Sequence, residues 1–159
     1  MRTGVLILIL VSSLTGISQN KAAFRFFDSS FVVGQKMILR VTYLLGKAEL
    51  NAGSGPVIDS LYRFLEAHPA LAVEIGTHAS ESNPASSSNL THNRAKVVVN
   101  ALITKGIARS RLSAISYGDR NPLVSEQAIR KAKTREEKAA LRSKNRRTEV
   151  KLISVSFTP

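Results

Sequence analysis

Arg94 is the residue whose type and placement point most directly to chemistry. It lies about one turn into an amphipathic run that opens at Ser88 or Asn89 and closes at Gly106. The first N–H groups of a helix have no internal partners and carry the positive end of its dipole, so they favour an anion. A guanidinium beside them adds a fork of donors shaped for a carboxylate. Other chemistries are poorly served. His68, His78 and His92 lack the spacing of a metal triad. With no Cys in the chain, thiolate metal sites, a cysteine nucleophile and disulfides are excluded. The serines Ser86, Ser87 and Ser88 would need a positioned base, and no nucleophile-elbow pattern surrounds them. No catalytic residue, metal or cofactor is expected, and no enzymatic activity.

Several elements must position Arg94. Ile38 to Leu45 is rich in β-branched and aromatic residues and predicts a strand ending at Gly46. Asn51 to Pro56 is a break and a helix start, with Pro56 suited to a first turn. From there Val57, Ile58, Leu61, Phe64 and Leu65 fall on one helical face, and His68-Pro69 ends it. A second strand, Ala70 to Ile75, precedes a polar loop from Thr77 to Ser88. The second helix, to Lys105, buries Leu90, Ala95, Val98 and Leu102, with Gly106 as a left-handed C-cap. Leu112 to Gly118 is a third strand. Ser125 to Ser143 is a charged helical stretch with a break near Thr134, and Thr148 to Val155 is the final strand. The order β-α-β-α-β-(α)-β implies an α+β fold with parallel pairing of at least two strands and both helices on one face.

At the N-terminus, Met1-Arg2 and the short apolar run Gly4 to Val11 have the form of a secretory signal, with cleavage expected after Ser18. The run is too short for a comfortable membrane span. Residues 1–18 are therefore read as a signal peptide, 19–37 as a lead-in and 38–156 as the domain. The formal net charge of +12 fits anionic neighbours such as carboxylate-bearing cell wall, phospholipid head groups or acidic proteins. Export argues against nucleic acid, and so does a 6% aromatic content, because single-strand binders need stacking platforms. The basic residues from Arg130 to Arg147 form either an anion-facing patch or a solvated helix.

The region from Phe24 to Ser154 resembles the OmpA C-terminal-like family of peptidoglycan-associated domains. Val73-Glu74-Ile75-Gly76-Thr77-His78 is similar to its strand-to-loop motif, in which a Gly and a His precede Thr-Asp. Leu90-Thr91-His92-Asn93-Arg94-Ala95 is similar to its Leu-Ser-x-x-Arg-Ala helix motif. Lys105-Gly106-Ile107, Arg111-Leu112, Tyr117-Gly118, Pro122 and Asn145-Arg146-Arg147-Thr148-Glu149-Val150 follow in the family's order. Phe27 to Gln35 also looks like leaders that precede this domain in Bacteroidetes-type proteins.

The resemblance implies an OmpA-like sandwich, a mixed parallel and antiparallel sheet with helices packed on one face. It also implies a location in the periplasm, associated with the outer membrane or wall. The implied ligand is diaminopimelate in a peptidoglycan stem peptide, its carboxylate held by Arg94 and its ammonium by an Asp. Counting from His78, the Asp position holds Ser80, which removes the negative half of the site unless Glu81 replaces it. Ser87 stands where the family has Asn, and Arg147 is a second basic candidate. The missing Asp opens an alternative, a degenerate domain that scaffolds outer-membrane or periplasmic proteins through its basic face.

Overall fold

The computed structural model describes residues 23–80 and 84–158. Four strands and four helices follow in the order β1 (Lys36–Leu39), α1 (Gly55–Ala67), β2 (Ala72–His78), α2 (Pro84–Thr104), β3 (Leu112–Gly118), α3 (Glu126–Lys131), α4 (Arg135–Asn145) and β4 (Arg147–Ser154). The sheet order is β1-β4-β2-β3. β2 and β3 are parallel, while β4 runs antiparallel to both β1 and β2. This is the expected mixed sheet. No helix among the described residues is long and apolar enough to cross a membrane.

One face of the sheet meets α1 and α2. Val73, Ile75, Val150 and Leu152 pack there against Ile58, Leu61 and Leu65 of α1 and Ala95, Val98 and Leu102 of α2, all buried. The stripe expected on α2 holds except at Leu90, which is only half-buried; Val99 is buried as well. Gly106, at φ +108, ends the helix as expected. Its N–H donates to Ile103 O and that of Ile107 to Leu102 O, the paired bonds of a Schellman ending. Arg111 closes α1 from the other side, donating to the carbonyls of Leu65, His68 and Leu71 at 2.8 Å each.

Three expectations are corrected. The strand expected over Ile38 to Leu45 stops at Leu39. The buried Ser54 hydroxyl binds both the N–H and the C=O of Thr42, at 2.9 and 3.0 Å, so this segment leaves the ladder and arches over the domain. The short strands expected at Phe24 and Phe31 are absent. Instead Phe24, Phe26 and Phe31 gather around Phe64 of α1, with ring centroids 5.4–5.6 Å from it, so these lead-in residues join the core. Finally, α2 begins at Pro84 rather than near Ser88. Arg94 thus lies about 15 Å along the helix, at 1.5 Å per residue, and the helix N-terminus does not supply its anion field.

The opposite sheet face explains two motifs together. Gly76 carries no side chain because the Tyr117 ring of β3 lies over it; an added Cβ would meet Tyr117 Cε2 at 2.7 Å. The ring is held by a hydrogen bond from its hydroxyl to Glu74 and by stacking on His78 at 4.9 Å. Gly76→Ala is therefore expected to cost about 1–3 kcal/mol in urea unfolding, with recovery when Tyr117→Ala is added. An unchanged midpoint in the single variant would contradict this packing.

Candidate functional site

Four segments meet at a groove of about 570 Å³: the arch over residues 41–46, the end of β2, α2 at Leu90 to Arg94, and the start of β4. Two bonds, one buried and one half-buried, place α2 here. Thr77 donates to the Thr91 carbonyl at 2.6 Å, and the Thr91 hydroxyl pairs with that of Ser116. Thr91 is thereby fixed to both β2 and β3, and Arg94 follows three residues later on a neighbouring part of the helix surface.

Arg94 is held before any ligand arrives. Its guanidinium lies over the Tyr43 ring, 4.9 Å from the centroid, and its Nε donates to the Lys47 carbonyl at 2.9 Å. The Tyr43 hydroxyl donates back to the Arg94 carbonyl at 3.3 Å and pairs with Thr148 at 3.1 Å. Burial raises the Tyr43 pKa, outweighing the Thr148 bond and the Arg94 charge, so the phenol stays neutral. Among the described residues nothing bonds the two terminal nitrogens of Arg94. They form a fork suited to a carboxylate.

Arg147 lines the same groove but is committed. Its Nε donates to Glu149 at 2.7 Å, and its terminal nitrogens reach the carbonyls of Asn145 and Asn121 at 3.3 and 3.1 Å. Glu149 also has Lys36 at 3.6 Å. Burial pushes the Glu149 carboxyl up, but the Arg147 bond and the surrounding cations bring it below its ordinary value. Arg146 also lines the groove, exposed, and among the described residues nothing bonds its guanidinium. The sequence reading missed Arg146 as a site residue and took Tyr43 for an ordinary strand residue. An aromatic residue just before a Gly turn was the available signal.

Ser80 is elsewhere. It lines a second cavity of about 340 Å³, with Asp119, Glu126, Arg130 and Asn145. The structure thus brings Arg94 and Arg147 together and leaves Ser80 apart. Glu81 lies outside the described residues, as does the side chain of Ser87, whose backbone is in the first turn of α2.

Across the β2–β4 ladder from Arg147 sits His78, buried, its Nδ1 without a hydrogen-bond partner among the described residues. Nε2 is 3.3 Å from Glu149 Oε2, close enough for an ion pair only if the ring is charged. Burial is the main cause of a lowered His78 pKa; the Arg147 and Lys36 charges add to it, and Glu149 opposes them. Below the unfolded value of about 6.5 the unfolded chain therefore binds more protons, and stability falls as pH falls. The lowered Glu149 pKa acts in the same direction further into acid. The urea midpoint is expected to drop from about pH 7.5 to about pH 5.5, and His78→Phe, which keeps a ring on Tyr117, should flatten that slope. A wild-type midpoint that holds or rises toward acid would contradict the buried neutral imidazole.

The sequence model of the OmpA family matches residues 42–137, more than half of the chain. Outer membrane protein P5 of Haemophilus influenzae is 29% identical over 111 residues, 69% of this chain and 31% of P5. The chain thus spans about a third of the length of that curated relative. Among solved structures, a MotB-like protein of Desulfovibrio vulgaris superposes with a TM-score of 0.60 at 21% identity, covering 75% of this chain and 73% of that one. The cell wall anchor of the T6SS from Pseudomonas aeruginosa gives 0.57 at 17%, covering 75% and 79%. At these identities the structural matches speak for the fold.

Proposed function

Because this chain belongs to the OmpA family, we propose that it is an exported, non-enzymatic binding module that holds peptidoglycan non-covalently and tethers an envelope structure to it. The observation that carries this reading is Arg94, stacked on Tyr43, tied to Lys47 and presenting its free fork to a groove. A diaminopimelate carboxylate in the stem peptide is the ligand group that fits it, with Arg146 adding positive potential at the rim. Arg147 acts through the wall of the groove, since its donors are spent on Glu149 and two carbonyls. The wall-anchoring role named for the Pseudomonas aeruginosa neighbour is in keeping with this reading.

The ammonium half of the ligand has no carboxylate in this groove among the described residues. Ser80 and Ala79 both line the neighbouring cavity, at the end of β2. Counted from His78, the family Asp position is Ser80, with Ala79 in place of the preceding Thr.

A second reading rests on the basic face of α3 and α4. Among the described residues the ammonium groups of Lys131, Lys133, Lys138 and Lys144 have no acidic partner, and Arg142 pairs weakly with Glu126 at 3.6 Å. That face suits an acidic protein of the outer membrane or periplasm.

Sedimentation with insoluble diaminopimelate-type peptidoglycan tests the first reading. Wild type is expected in the pellet and Arg94→Ala to bind about tenfold more weakly. Wild type and Arg94→Ala remaining equally in the supernatant, with a protein partner captured by cross-linking, would favour the scaffold instead.

A further inference from the structure

The sheet ends at β3, which pairs on one side with β2 and has no strand on the other among the described residues. Alternate peptide groups along Leu112–Gly118 therefore point off the edge. Two arginines mark which ones. Arg109 Nη1 donates to the Leu112 carbonyl at 2.7 Å, and Arg120 Nη2 to the Ser116 carbonyl at 2.9 Å. The N–H and C=O of one residue lie on the same side of a strand, so residues 112, 114 and 116 face outward. The Leu112 N–H is also taken, by Arg109 O. Ala114 lies midway between the two clamps, and no described residue bonds its outward peptide groups.

Alongside this edge runs α2. Between helix and strand lies a cavity of about 380 Å³, with Val99, Leu112 and Ala114 as apolar floor and Lys96, Asn100 and Arg109 toward its rim. Its described lining includes no carboxylate, and it shares no residue with the Arg94 groove. An open strand edge beside a helix, with an apolar floor for alternate side chains, is the arrangement that accepts an extended peptide.

We propose that this edge groove takes an extended, acidic segment of a partner protein as a fifth strand. The occupant's backbone pairs at Ala114. Its apolar side chains enter the floor, and its carboxylates meet Lys96 and Arg109. The arginine clamps select for acidity. Cationic side chains on an edge discourage unspecific pairing, and an incoming strand must offer them carboxylates to displace them from the carbonyls. This site does not depend on the peptidoglycan reading.

The test uses the whole chain and two labelled octapeptides, one alternating valine with glutamate and one alternating valine with lysine, followed by fluorescence anisotropy. The glutamate peptide is expected to bind saturably and the lysine peptide not to bind. Lys96→Glu combined with Arg109→Glu should weaken the glutamate peptide by roughly tenfold or more. In the unmutated chain, hydrogen exchange at the Ala114 amide should slow at least about tenfold at saturation. Equal binding of both peptides, binding of neither, or acidic binding with no slowing at Ala114 would overturn the proposal. So would a peptide-free dimer paired through β3, because the edge would then belong to a second copy.

Discussion

The position of α2 depends on one buried side chain. Thr91 receives a hydrogen bond at its carbonyl from Thr77 and shares its hydroxyl with Ser116, so it joins the helix to two parallel strands through polar contacts inside an otherwise apolar layer. Apolar packing alone fixes distance but not rotation or axial position. A buried polar group is costly unless it meets its partner, and that requirement sets both. Arg94 inherits its place from this join. Tyr43 then completes the frame from the opposite wall, bridging the Arg94 backbone to Thr148 while its ring carries the guanidinium.

The two arginines of the groove show how context divides like residues. Arg147 and Glu149 are two apart on β4, so their side chains share the sheet face away from the helices. There they form a buried pair that Lys36 and His78 surround. Such a pair does not come apart for a ligand without leaving a buried charge behind. Arg94 bears no such debt. Its stacking and its single backbone bond restrain the side chain without neutralising it, so the groove presents a preorganised cation that no described residue compensates.

Much of the fold was legible in the sequence. The apolar stripe of α1, the Gly106 ending and the β4 alternation are local signals of period and cap. The break at Thr134 is another, and there Thr134 and Glu137 form a reciprocal capping box. Less legible was whatever needs a distant partner. Phe24 and Phe31 read as short strands because nothing nearby shows that Phe64 will gather them. Ile38 to Leu45 reads as one strand because the Ser54 hydroxyl that draws Thr42 away is twelve residues on. The helix start at Pro84 hid in a Ser-rich run that composition assigns to a loop. Within the groove, the sequence singled out Arg94, but not the Tyr43 ring under its guanidinium. It also named Arg147 without using Glu149, although a spacing of two on a strand was there to read.

Arginine side-chain NMR with free diaminopimelate addresses the central claim most directly, because it follows each guanidinium separately. The account predicts that the Arg94 Nε–H resonance shifts saturably as ligand is added. The Arg147 Nε–H, bonded to Glu149, should stay in place. A stationary Arg94 resonance, or a shift confined to Arg147, would contradict the assignment of the carboxylate to Arg94.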